Sequence, residues 1–548
     1  MTPIPSDGLS AGRRESEGPA SDPLDDRLLP DAARSPWRSW FSRNFHRFEP
    51  PPLADGAGRG GLPPHLVDPR LRAERAESYR GDVAARLSLL LRDGDDRVRG
   101  AAALSLARGG FIRTGQDADR LFQLADDDQR RVRSQALLAA ALGPASPARH
   151  RLLRIAHADF DGLRLQNEVE RDRVRALATL FLSLANEPAL PLLVRDFASD
   201  LRKPLQLRAL VVQALGLCGA PTALPLLAEL LAQVEQPPLI RATAAAALGQ
   251  LADPVAAPLL LARLEQRDSD TDVRAAAAIA LGAVAPRGDD EFVRALLKAT
   301  ERESNAHVSR FLLLSLGEIG GATARLRLER ALEHESAEQR VFAELGLGML
   351  ARQGERDRWI TPLLDALRRT RSQDEQCALL CALGISGAVE AYQSVAEFLA
   401  AGAPEVRRAA ISALSLLGQP GAVASFERLV LDDPAPEVRM HAARALGRLD
   451  PSCAALLVHE LGSGRSRAAA ERAALILSIG FTRDPVALEP LLELLREPDP
   501  TSREREAAAH ALGLIYDEQR LAPTARLAGA RSLLQESTEL AELLTLAE

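Results

Sequence analysis

An arginine and a glycine eight residues apart recur along this chain at a spacing that no single compact core explains. The pairs are Arg208 and Gly216, Arg241 and Gly249, Arg274 and Gly282, Arg340 and Gly348, Arg439 and Gly447, Arg472 and Gly480, and Arg505 and Gly513. Weaker copies are anchored at Arg99, Arg133, Arg175, Ser309, Gln376 and Arg407. Successive anchors lie 31 to 36 residues apart, apart from one interval of 42 between Arg133 and Arg175. A fixed period of this length means a stack of supersecondary units, each burying its apolar face against its neighbours.

Each copy reads as a helical hairpin. The first helix is typified by Ala223 to Leu231, with apolar residues on one stripe. Pro191, Pro225, Pro258, Pro362 and Pro490 fall early in such helices, where a missing N–H is tolerated. A polar turn follows, and the second helix starts at a pair such as Val273-Arg274 and runs through alanines to Leu281-Gly282. The alanines allow close helix approach, and the glycine is expected at a helix end where the chain reverses. Only 4% of residues are aromatic, which suits helices packed through small and leucine side chains better than a β-sandwich. The fold class expected is all-α, an α-solenoid of about thirteen hairpins. Stacked at about 9 to 10 Å per layer, they would form a curved rod of roughly 120 Å with the second helices on its concave face.

Asp93, Asp127, Asp268, Asp433 and Asp499 each stand six residues before an anchor arginine. This Asp, Val-Arg and Ala-Leu-Gly pattern resembles HEAT repeats, the short bacterial, phycobilin-lyase-like variety in particular, over residues 83–515. The resemblance implies an armadillo-like superhelix and a ladder of aspartates and arginines between neighbouring repeats. It would be formed by Asp268 with Arg274, Asp433 with Arg439, and Asp499 with Arg505. Gln376 replaces an anchor arginine, Ser415 a glycine and His334 an aspartate, so those repeats are expected to pack less regularly. The long interval holds an insertion, residues 159–170, either a tolerated surface loop or a loop on the binding face.

Residues 1–75 differ in kind. They hold twelve of the 35 prolines and no apolar period, and are expected to be disordered. Within them lies an aromatic and basic island, residues 36–48, where Trp37, Phe41, Phe45 and Phe48 keep helical spacing beside Trp40 and three arginines. It would dock on the first repeats, serve as a recognition motif for another protein, or lie on a membrane surface. The solenoid is placed at 76–520. Residues 521–548 alternate leucines with Glu536, Glu539 and Glu542, as expected of a cap for a last repeat that lacks a neighbour.

The chemistry-bearing residues are sparse. His334-Glu335 and His459-Glu460 are two pairs where the iron site of deoxyhypusine hydroxylase, another HEAT-like protein, would need four, and they occupy non-equivalent places. Cys377 and Cys381 share one helix face and match the template positions of Ala275 and Ile279, which suggests core packing rather than a metal pair. There is no Cys-x-x-Cys, phosphate loop or nucleophile elbow, so no catalytic residue, metal or cofactor is assigned. A formal net charge of −7 disfavours nucleic acid. No apolar run is long enough for a membrane span or a signal peptide, and a cytoplasmic location is expected. The expected function is non-catalytic: a scaffold or regulatory adaptor that binds other proteins on its concave face. The alternative is a modifying factor of the phycobilin-lyase-like or deoxyhypusine-hydroxylase-like class.

Overall fold

The computed structural model describes residues 36–53, 68–142, 147–185, 187–265, 270–301, 303–463, 468–497 and 500–517. No strand occurs among them. Thirteen second helices follow one another: Asp96–Arg108, Arg130–Leu142, Glu168–Leu184, Leu205–Leu217, Pro238–Leu251, Thr271–Val284, Ala306–Ile319, Ala337–Leu350, Gln373–Ser386, Pro404–Leu417, Pro436–Leu449, Ala469–Phe481 and Ser502–Tyr516. We number the repeats 1 to 13 by these helices. Each is preceded by a first helix, from Pro69–Leu90 in repeat 1 to Leu488–Arg496 in repeat 13. That opening helix is capped by Asp68, which accepts the Arg70 N–H, and starts at Pro69, seven residues before the boundary expected at 76.

Local chemistry sets the helix starts. In repeat 6 the Asp270 carboxylate accepts the N–H groups of Asp272 and Val273. In repeat 13 Thr501 and Glu504 form a reciprocal capping box. The 159–170 insertion is tied to its surroundings: Asp159 pairs with Arg154 at 2.7 Å, and the Arg164 N–H reaches Asp126.

The anchor glycines lie inside the second helices, not at chain reversals as expected. A Cβ on Gly249 would stand 2.8 Å from the Ala280 Cα, and one on Gly480 would stand 2.6 Å from the Ala511 Cα. Each of these glycines faces the residue six after the next repeat's anchor, so the absence of a side chain lets consecutive second helices touch backbone to backbone. Alanine or serine usually fills the opposing position, as at Ala247, Ser315, Ala413 and Ser478.

The same register joins the two ends. A Cβ on Gly513 of repeat 13 would stand 2.7 Å from the Ser105 Cα of repeat 1, and Ser105 is six residues after Arg99. Arg505 donates two hydrogen bonds of 3.1 Å to Asp93, and Arg131 meets Glu506 at 3.0 Å. The Tyr516 hydroxyl donates to the Ala76 carbonyl at 2.6 Å, its ring edge-on to Phe111 at 5.1 Å with Arg80 over both. The solenoid therefore closes into a ring, and the open rod expected from the period does not form. Thirteen helices at about 9 to 10 Å give an inner ring about 40 Å across between opposite helix axes. The face that a terminal cap would cover is occupied by repeat 1, and residues 521–548 lie outside the described residues.

The inner wall as candidate functional site

The second helices make the inner layer, because closely touching helices must occupy the shorter circumference. In repeat 6 Asp272, Ile279 and Ala283 are among the residues that stay exposed or half-exposed on this helix, seven and then four apart, on one face turned from the outer layer. These positions define the inner wall. Cys377 and Cys381 of repeat 9 are fully buried, as expected of core positions, and Arg38 of the aromatic island lies close to both. Burial pushes the Cys377 thiol up to about 11, against the opposing pull of Arg38.

The island is a helix, Pro36–Asn44, continued by a 3-10 turn, Phe45–Arg47. Trp37, Trp40, Phe41, Phe45 and Phe48 are all buried, Phe41 completely. Phe41 and Phe45 meet edge to face at 5.6 Å. It does not sit on the first repeats. The Trp37 indole N–H and the Arg38 guanidinium both donate to the Asp374 carboxylate of repeat 9 at 3.0 Å. Arg47 pairs with Glu318 of repeat 7 at 2.8 Å, and Arg352, after the repeat 8 helix, stacks over Phe48 at 5.7 Å. Pro50 then abuts Gly418, and the Leu53 N–H donates to the Leu449 carbonyl at 2.9 Å. That carbonyl belongs to a helix's last turn, where no intrahelical donor remains. Residues 36–53 thus cross the wall of repeats 7 to 11. The first repeats offer no such place, since repeat 13 already covers their free face.

Charge differs around the rim. Two residues before the anchor, repeats 8 to 11 carry Glu338, Asp374, Glu405 and Glu437, whereas repeats 13, 1, 2 and 3 carry Arg503, Arg97, Arg131 and Arg173. The island's arginines reach the acidic side. Deeper on the wall of repeats 10 and 11, His441 hydrogen-bonds Ser412 at 2.9 Å and is held well below its ordinary pKa by burial, with Arg408, Arg444 and Arg448 adding to the effect. Burial beside Arg444 brings Arg408 down to about 10. On the opposite side, burial next to Arg108 and Arg131 lowers His510 to about 3.

The aspartate and arginine positions work between repeats in a way the spacing did not reveal. Asp433 accepts two hydrogen bonds, of 2.9 and 2.8 Å, from Arg407 of the preceding repeat, a pair almost wholly buried. Its main-chain carbonyl meanwhile accepts from Arg439 of its own repeat at 2.6 Å. Arg439 turns its other edge to Glu471 in repeat 12, and Arg274 pairs with Glu303 at 2.7 Å. Asp127 repeats the arrangement with Arg99 and Arg133. One planar guanidinium serves a carboxylate on one side and a carbonyl on the other, which a lysine's point charge would not reproduce. Asp268 and Asp499 lie outside the described residues, and Arg505 closes the ring on Asp93.

Beside the Asp374 clasp, Glu344 is buried, and desolvation together with Glu375 and Asp374 holds its carboxyl well above the usual range, against the pull of Arg340. Such a group favours the fold fully below the unfolded carboxyl pKa of about 4.3 and loses that contribution as pH rises toward its folded value. Glu344→Gln should therefore stabilise the protein at pH 8 by about 1–3 kcal/mol and leave it unchanged at pH 4. Thermal melts at the two pH values check this. An equal shift at both would mean that titration is not the cause.

His334 is exposed and lies 3.6 Å from Glu333, while Glu335 pairs with Arg327 at 2.8 Å. His459 lies on the first helix of repeat 12, in a different part of the ring. Among the described residues no three His, Cys, Asp or Glu side chains gather as metal ligands, and no helix is long and apolar enough to cross a membrane.

The family described as HEAT repeats matches residues 201–282, 260–348 and 360–450. None of the curated proteins matches. Among solved structures, the CpcE and CpcF complex of phycocyanin lyase from Nostoc sp. PCC7120 is 22% identical with a TM-score of 0.31, over 49% of this chain and 94% of that one. Human deoxyhypusine hydroxylase is 22% identical with a TM-score of 0.22, over 49% of this chain and 96% of that one. Importin beta is 13% identical with a TM-score of 0.38, over 95% of this chain and 79% of that one. The ring therefore contains HEAT repeats, over residues 201–348 and 360–450.

Proposed function

We propose that this chain is a non-catalytic scaffold that binds segments of other proteins on the inner wall of its ring. The observation that carries this reading is the docking of residues 36–53, a stretch outside the repeats, on the wall of repeats 7 to 11. A wall that seats one amphipathic helix through buried aromatics and two carboxylates has the chemistry of a helix-binding groove. The curved inner surface supplies length for such contacts, and the aromatic anchors supply most of the affinity.

The test places a photo-crosslinking residue at Ala283 on the inner wall or at exposed Leu326 on an outer helix, and irradiates cells that make the full chain. Adducts to other proteins are expected from position 283 and not from 326. Adducts from 326 alone, or from neither, would remove the basis for an inner-wall scaffold.

A further inference from the structure

We propose that the wall of repeats 7 to 11 recognises an aromatic–arginine amphipathic helix in a partner protein, and that residues 36–53 are a resident competitor which the partner displaces. This rests on the scaffold reading and goes further, because it names the partner's chemistry and the regulation of its site.

The wall specifies both features. Asp374 is half exposed on its side chain and takes the Trp37 indole and the Arg38 guanidinium together. Glu318 takes Arg47, nine residues further on, so the site measures a spacing between two cations. Between them lie the aromatic anchors, Trp40, Phe41 and Phe45, all buried. A cognate helix therefore presents Trp-Arg, then aromatics three, four and eight residues after the tryptophan, then a second arginine. The neighbouring Glu338, paired with Arg310, and Glu405 and Glu437, beside Arg408, occupy the same rim position as Asp374.

Displacement is built into the connection. Fourteen residues, 54–67, join the island to Asp68. Fully extended they span up to about 45–50 Å, so the island can leave the wall without pulling repeat 1 apart. Tethering at this length gives an effective concentration of about millimolar, which raises the apparent dissociation constant of any partner for the closed site.

The probe is a fluorescein-labelled synthetic peptide with the sequence of residues 36–53, followed by anisotropy on the full chain. It should bind native protein weakly and bind a Phe41→Ala/Phe45→Ala chain about 100-fold more tightly, because the cis competitor is then weakened. Asp374→Arg in that same chain should reduce binding at least tenfold, and a probe with Arg38 and Arg47 changed to glutamate should not bind. Equal affinity for native and double-variant chains, or no binding to a double variant whose scattering shows an intact ring, would overturn the proposal. A second arm avoids core substitutions: a protease site is placed within 54–67 of the full chain and cut. Exchange of the severed island for the labelled probe supports the proposal, and a severed island that never exchanges makes it a fixed part of the fold and overturns it. Crosslinks from position 283 without probe binding would refute this inference and leave the scaffold reading standing.

Discussion

Gly513→Leu is expected to open the ring. A Cβ at this position stands 2.7 Å from both the Cα and the Cβ of Ser105, so the two helices must separate before a side chain fits. Overpacking of this kind costs about 1–3 kcal/mol or more. At the other twelve seams, chain continuity keeps neighbouring repeats together after such a clash. Repeat 13 is held to repeat 1 by packing and by contacts such as Arg505 on Asp93 and Tyr516 on Ala76, and to repeat 2 by Arg131 on Glu506, with no chain connection at the seam. Solution scattering should show the maximum dimension rising from about 70 Å for the closed two-layer ring toward about 120 Å for an open stack. Gly81→Leu, on an outer helix with open space around it, is the matched control and should change nothing. An unchanged scattering profile for Gly513→Leu would mean that the ends are not joined through this seam.

Much of this architecture is legible in residue spacing, and what is not legible has a common cause. The hairpins and their number follow from local signals, Val-Arg at a helix start and glycine eight residues later, because each acts within one repeat or on the next. Closure depends instead on thirteen inter-helix rotations summing to a full turn, roughly 28° each, and no single residue encodes that sum. A sign of it does stand in the sequence. Asp93 in the first repeat and Arg505 with Gly513 in the last keep the inter-repeat residues at full strength, although a free end would leave them nothing to contact. The island's aromatic stripe was visible as a helix in waiting, but its seat was not. Glu318, Asp374 and Leu449 come from repeats 7, 9 and 11, and only the curvature of the wall brings them under one short segment. Cys377 and Cys381, by contrast, are legible as core residues from the repeat template alone, and both are fully buried.

The second large effect concerns the island itself. In a Trp359→Phe chain all indole emission comes from Trp37 and Trp40, whose exposures are 2% and 3%. That emission should be blue-shifted and protected from a soluble quencher. Phe41→Ala in the same chain removes the one island side chain that is completely buried, at a cost of about 3–5 kcal/mol. The remaining anchors face the entropy of ordering the segment, about 1–2 kcal/mol per residue. Because those opposing terms are large and similar, losing one ring should release the whole segment, and both tryptophans should move together to the emission and quenching of indole in water. Asp374→Ala should act in the same direction with a smaller effect, since it removes two hydrogen bonds and an ion pair from a half-exposed carboxylate and leaves the aromatics in place. The helical signal of the repeats should persist in both variants, because the island lies outside the repeats and joins the ring through a separate segment. Loss of ring helicity in Phe41→Ala together with the emission change would show that the island is a required part of the core. Emission that stays blue-shifted and protected in that variant would show that Phe41 does not hold the segment in place.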